Sequence, residues 1–176
     1  RAIAIYSRVG TVEQQVQLVC KAASSMIVSG RLVTLSSWLD LLPPNLVDSK
    51  PELLSIRGSI AMLRGDFAPS LDLLNKSIKL MDGTDLVEEL GYALIRRSAL
   101  NRHLGHYEDA RRDALTAIEL TRGPTGNKQQ LAEALRSEGL VYFQIGELSN
   151  GLEKLDKAYQ QFIDMNYESD AAKVLV

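Results

Sequence analysis

The residues in this chain able to do chemistry are few: two histidines, one cysteine, a knot of arginines and a glycine-bearing turn. His103 and His106 stand three apart with Glu108 and Asp109 beside them. On an unbroken helix that spacing would aim two imidazoles at one metal ion. Gly105 falls between them and no motif places a third ligand, so a turn or surface role is expected, with no metal. "RGPTGNKQQ" sets Gly123, Gly126 and Lys128 ahead of a helix. A phosphate loop needs G-x-x-x-x-G-K-[ST] behind a strand, and neither is present, so this reads as a connecting turn. Cys20, in "VQLVCKAA", has no base in view and reads as a small core residue. The acids are spread along helix faces. No catalytic set assembles, and neither an enzyme nor a cofactor is expected.

Arginine is the exception to this dispersal. Arg96, Arg97, Arg102, Arg111 and Arg112 crowd one segment of a chain whose net charge is only −2. Pairing with acids such as Glu108 or Asp113 accounts for such a run. The overall charge gives no drive toward nucleic acid or anionic lipid. Hydrophobic residues make up 45% and charged ones 24%, which suits a globular protein with a Leu- and Ala-filled core. A single cysteine cannot form an internal disulfide and fits a reducing, cytoplasmic setting. No apolar run reaches the roughly 18 residues of a membrane span. The chain opens "RAIAIY" without an initiator Met and ends "AAKVLV" within an expected helix, so it is expected to be part of a longer protein.

The elements that must position these residues follow from a repeat. "IVSGRLVTLSSWLDLL", "MLRGDFAPSLDLLNKSI", "HLGHYEDARRDALTAI" and "FQIGELSNGLEKLDKAY" align on Gly30, Gly65, Gly105 and Gly146, which stand 35, 40 and 41 residues apart. Seven residues before the last three lie Gly58, Ser98 and Gly139, small positions where two helices can approach closely. A glycine inside a helix costs about 1 kcal/mol against alanine, so its recurrence points to packing. On the following helices Ser70 and Ser77, Ala110 and Ala117, and Gly151 and Ala158 repeat the small pattern. Thr11 with Gln14, Ser49 with Glu52, Asp85 with Glu88 and Asn127 with Gln130 have the spacing of helix-start capping pairs. Helices are predicted over 2–9, 12–29, 32–42, 51–64, 67–81, 86–104, 107–122, 128–145, 147–164 and from 167 onward. No stretch alternates as a strand would, so the fold class is all-α.

The pattern resembles the tetratricopeptide repeat: a small residue, a three-residue step to an aromatic, then "LG-x-Y-x-x-A" and a later alanine. The third and fourth units match best; the second carries serine for both alanines, and the first matches only in its second helix. The resemblance implies a right-handed superhelix of helix-turn-helix repeats, an α-solenoid, filling one domain over 1–176. The period of 34 is exceeded, with the extra length between units in "MDGTD" and "TRGPTGNK".

A more particular pattern lies in "GRLVTLSSWLDLLPPNLVDSKPELLSIRGSIAMLRGDF": Gly-Arg-Leu, then Trp38-Leu39, Leu42-Pro43, Pro51-Glu52-Leu53 and Arg64-Gly65-Asp66-Phe67. It resembles the MalT-like family of transcription regulators over most of the chain. The resemblance implies a sensor superhelix set between an ATPase module and a DNA-reading helix-turn-helix, binding a small inducer or a regulatory protein and coupling that to self-association. Neither an ATPase motif nor a reader helix occurs here. A tetratricopeptide scaffold holding a peptide or partner helix in its groove is the alternative.

In a tetratricopeptide register the first helix of each pair lines the concave wall. That places Tyr92, Ile95, Ala99, Arg102 and His103, with Arg96 adjacent, on the wall of the third unit, and Glu133, Arg136, Leu140, Phe143 and Gln144 on the fourth. The candidate ligand-binding residues are therefore Tyr92, Arg96, Arg102, His103, Arg136 and Phe143, aromatic rings beside cationic donors. Trp38 shares a stripe with Leu35, Leu39 and Leu42 and is expected in the core. The expected partner is a protein or small-molecule effector, with no nucleic-acid or membrane contact. Apolar ends such as "RAIAIYS" and "AAKVLV" are expected to promote self-association, because a repeat array needs polar caps.

Overall fold

The computed structural model describes residues 11–122 and 126–175. Among them are ten helices and no strand: α1 (Val12–Val28), α2 (Leu32–Asp40), α3 (Pro44–Ser49), α4 (Pro51–Arg64), α5 (Phe67–Met81), α6 (Val87–His103), α7 (Tyr107–Leu120), α8 (Lys128–Gln144), α9 (Leu148–Asp164) and α10 (Glu168–Val174). The fold is all-α. The predicted boundaries are met within two residues, except that α2 stops at Asp40 and α3 follows. Pro44 opens α3 at a position where its missing N–H costs nothing, in "PPNLVDS", which gives no sequence pattern long enough to announce a helix. The predicted helix over 2–9, and with it the apolar "RAIAIYS" end, lies outside the described residues, as does Gly123 of the phosphate-loop candidate.

Helix starts divide two and two. Thr11 makes the full capping box: its hydroxyl accepts from the Gln14 N–H at 3.3 Å and its own N–H donates to Gln14 Oε1 at 2.9 Å. The Asn127 side-chain oxygen Oδ1 caps α8 by accepting from the Gln130 N–H at 3.0 Å. Ser49 and Asp85 do not cap. Lys50 and Leu86 occupy those cap positions without side-chain bonds, and the Ser49 hydroxyl donates instead to the Leu46 carbonyl, closing α3. In each case the cap falls one residue beyond the expected one.

The four turn glycines do what their recurrence implies. Gly30, Gly65, Gly105 and Gly146 all have positive φ, between 70° and 89°. Each closes the first helix of a pair with the same two bonds; after α8, Glu147 N–H reaches the Tyr142 carbonyl at 2.9 Å and Gly146 N–H reaches Phe143 at 3.2 Å. A Cβ on any of the four would touch nothing, so the requirement is conformational. Asn166, with φ of 60°, makes the same turn after α9, and glycine alignment alone passes over it.

The chain packs as two compact units, the first ending at Leu80 and the second beginning at Met81. In the first, α1 packs on α2 and α4 around Val19, Ala23, Leu35, Leu53 and Ile56, all at most 1% exposed. Trp38 and Cys20 pack against this core partly buried. In the second, α6, α7 and α8 pack on one another, α9 on α8 and α10 on α9. Its interior is alanine-rich, with Ala93, Ala110, Ala114, Ala117, Ala134 and Ala158 wholly buried, and Phe162 as its largest fully buried side chain among the described residues.

Within each unit, paired helices cross where the small residues meet, twelve positions apart in every case. At Gly58 the Ser70 hydroxyl donates to the glycine carbonyl at 2.7 Å. At the next crossing the hydroxyl changes sides, and Ser98 donates to the Ala110 carbonyl at 2.7 Å. At the third, Gly139 faces Gly151, and a Cβ on either would stand 3.1 Å from the other's carbonyl oxygen. Ser98 also bonds Ser137 at 2.8 Å, tying α6 to α8. Gly91 leaves room for the buried Gln130, whose Nε2 donates to the Glu88 carbonyl at 2.6 Å.

These contacts separate two kinds of glycine. Alanine in place of Gly139 gains about 1 kcal/mol of helix propensity, but overpacking costs about 1–3 kcal/mol against a carbonyl that cannot rotate away. Gly139→Ala is expected to lose stability in urea unfolding despite the propensity gain. Gly146→Ala is expected to lose about 1–2 kcal/mol through backbone strain alone, and Gly146→Asn less, as Asn166 shows asparagine in that conformation.

Candidate functional site

The arginine run is largely consumed by structure. Arg97 of α6 clamps Asp113 of α7, with Nε and Nη2 donating to its two carboxylate oxygens at 2.8 and 2.7 Å, and Asn101 adds a longer bond at 3.4 Å. Asp113 is buried while Arg97 keeps a quarter of its side chain exposed. Arg111 donates to the Tyr142 hydroxyl at 3.0 Å and sits 5.2 Å from that ring's centre. Beside it Glu138, 1% exposed, lies 3.1 Å from the Lys154 ammonium, close enough for an ion pair but angled away from a hydrogen bond. Arg112 pairs with Asp109 on the surface. Arg96 lies over the Tyr92 ring at 5.7 Å. Acids thus meet this run both between helices, at Arg97, and along one, at Arg112.

Arg102 differs. It stands in the last turn of α6 with His103, where the helix dipole favours cations. Among the described residues its guanidinium makes no hydrogen bond or ion pair, although it is half-buried. Burial and then the nearby Arg136 hold its pKa below the ordinary arginine value. Burial, and then Arg102, likewise hold the His103 imidazole below its ordinary value.

Arg102 lines a groove of about 670 Å³ in the second unit. Its apolar walls come from Leu140 and Phe143 of α8, Leu155 and Tyr159 of α9, and Val174 at the end of α10. Gln144 and Asp156 supply its other polar groups. The small crossing of Gly139 with Gly151 determines this shape: Phe143 lies over Gly151 and Leu155 over Gly139, so both side chains are set where alanine would displace them.

Of the six residues expected on a ligand-binding wall, Arg102 and Phe143 meet in this groove. Tyr92, Arg96 and Arg136 form a separate cluster around the half-buried Glu133. Burial raises the Glu133 carboxyl above its ordinary value, Arg136 and Arg96 oppose that, and Asp170 of α10 adds to it. Tyr92 is likewise raised by burial and by Glu133 and Glu88. His103 is exposed and lines neither place. Ile95, expected on the same wall, is buried. His106 precedes α7 across the Gly105 turn from His103, and among the described residues no group of three metal-binding side chains occurs.

The wall supplied by α9 and α10 lies outside the sequence reading, which sets only first helices against a ligand. A signal existed: Leu148, Leu152, Leu155, Tyr159 and Phe162 form a long apolar stripe, yet Leu148 and Leu152 remain 54% and 60% exposed. Among the described residues no helix is long and apolar enough to cross a membrane. No family model and no curated protein matches this chain.

Two buried carboxyl sites give direct tests. Arg97→Ala leaves the Asp113 carboxylate buried with one weak donor and should cost about 3 kcal/mol. Asp113→Ala leaves an arginine that can reach water and should cost less, which chemical denaturation of both variants compares. For Glu133, a folded pKa above the unfolded one means the folded state holds the proton more tightly, so stability falls as pH rises above about 4.5. Glu133→Gln should therefore raise Tm at pH 7 and lose that advantage near pH 4.

Proposed function

We propose that this chain is the effector-binding segment of a MalT-like transcription regulator, a superhelix of tetratricopeptide-like repeats that captures a ligand and couples capture to self-association in the cytoplasm. The observation that carries a binding role is the groove of about 670 Å³, within the size range of small-molecule sites, mainly apolar and furnished with a few polar groups. The recurring crossing of small residues, with a left-handed glycine after each first helix, supports the tetratricopeptide reading. The regulator assignment rests on the Trp38-Leu39, Leu42-Pro43 and Pro51-Glu52-Leu53 resemblance.

Ligand capture is the first step to test. The purified chain, screened by thermal unfolding against metabolites, oligosaccharides and short peptides, should be stabilised by one class. A ligand at about 100 times its Kd contributes about 2.7 kcal/mol, a rise of about 5–10 °C for a domain of this size. The rise should vanish in Phe143→Ala relative to that variant's own Tm, and light scattering should show the stabilising ligand changing the state of association. No stabilisation by any class would refute the effector-binding role.

A further inference from the structure

The groove contains an electrostatic imbalance that narrows its ligand. Arg102 is half-buried without a partner among the described residues, and a charge taken out of water without compensation is costly. Arg136 stands near it, outside the groove lining and beside Glu133, so it brings Arg102 no compensation. The one carboxylate lining the groove, Asp156, is exposed on α9 and makes no ion pair with Arg102. The other walls offer Leu140, Phe143, Leu155 and Tyr159, a surface that excludes a strongly hydrated ligand body. The other arginines of the run in contact with α7 and α8 are engaged elsewhere: Arg97 is clamped on Asp113 and Arg111 donates to Tyr142.

We propose that the groove binds a small amphiphilic carboxylate, with the carboxylate on the Arg102 guanidinium and an unbranched apolar chain along Leu140, Phe143, Leu155 and Tyr159. This rests on the reading of the groove as an effector site and specifies its ligand. A guanidinium presents paired donors matched to the two oxygens of a carboxylate, so the head group is held in orientation as well as by charge. An uncharged ligand would leave Arg102 uncompensated, and a cationic one would meet a like charge.

Calorimetric titration of the whole chain with hexanoate, octanoate and decanoate tests this, with octan-1-ol and octylamine as controls. One carboxylate should bind per chain, tightening about fourfold for each methylene added. Octan-1-ol should bind at least tenfold more weakly than octanoate, and octylamine should not bind. Arg102→Gln should weaken octanoate about tenfold or more and leave octan-1-ol unchanged; Arg102→Lys should recover part of the loss. Leu152→Asp, at an exposed wall position, brings a negative charge to the groove without touching the core and should weaken octanoate in the same direction. Arg112→Gln, on the surface of α7, should have no effect.

Equal binding of octanoate and octan-1-ol, a stoichiometry above one, or binding indifferent to Arg102 would overturn the carboxylate assignment. So would stabilisation by a peptide or a sugar where octanoate fails, an outcome that leaves the effector-binding reading intact. Failure of every ligand class overturns both.

Discussion

Everything in the second unit depends on how closely two helices can approach where they cross. At the crossing of α8 and α9, backbone faces backbone across Gly139 and Gly151, and no Cβ fits between them. The same crossing recurs twice with a hydroxyl in place of one missing side chain, on the second helix at Ser70 and on the first at Ser98. In both, the hydroxyl donates to a carbonyl of the opposing helix, so a buried polar atom is satisfied by the contact that buries it. Glycine, alanine and serine are thus interchangeable in size but not in what they ask of the facing strand of backbone. Close approach in turn allows a core built of alanine, because small side chains fill the space only when the helices lie near one another.

Close packing also decides which charges are committed. Asp113 and Glu138 are drawn into the interior and must be met by Arg97 and Lys154, because an uncompensated buried carboxylate costs more than the pair gains. Arg111 is held by the Tyr142 hydroxyl and ring. Arg102 is the one member of the run brought beside an apolar surface with no acid to meet it. Its position in the last turn of α6 lets the helix dipole stabilise the charge locally, so the fold tolerates it without a partner. A residue that folding tolerates rather than requires is available for another purpose.

Much of the architecture was legible in the residues. Glycines at near-equal intervals marked the turns because only a residue without Cβ enters the left-handed region freely, and small residues seven positions earlier marked the crossings. The helix-start pairs at Thr11 and Asn127 were legible for the same local reason, whereas Ser49 and Asp85 had the right spacing but stand one residue before the actual caps, Lys50 and Leu86. Asn166 was missed because asparagine takes the left-handed turn only some of the time, so its presence carries no fixed meaning. The α3 helix was missed because six residues are too few to display a period.

The candidate wall divides along the same line. Tyr92 with Arg96 and Arg102 with His103 were grouped by spacing along one helix, and the sequence by itself determined that they share it, because helical period is a property of neighbouring residues. Whether an arginine is spent or spare was decided only by tertiary structure. Arg97 and Arg102 look alike in the sequence; one meets Asp113 sixteen residues on and the other meets the apolar side chains of α8, α9 and α10. That difference depends on where distant helices cross, and no local propensity encodes it.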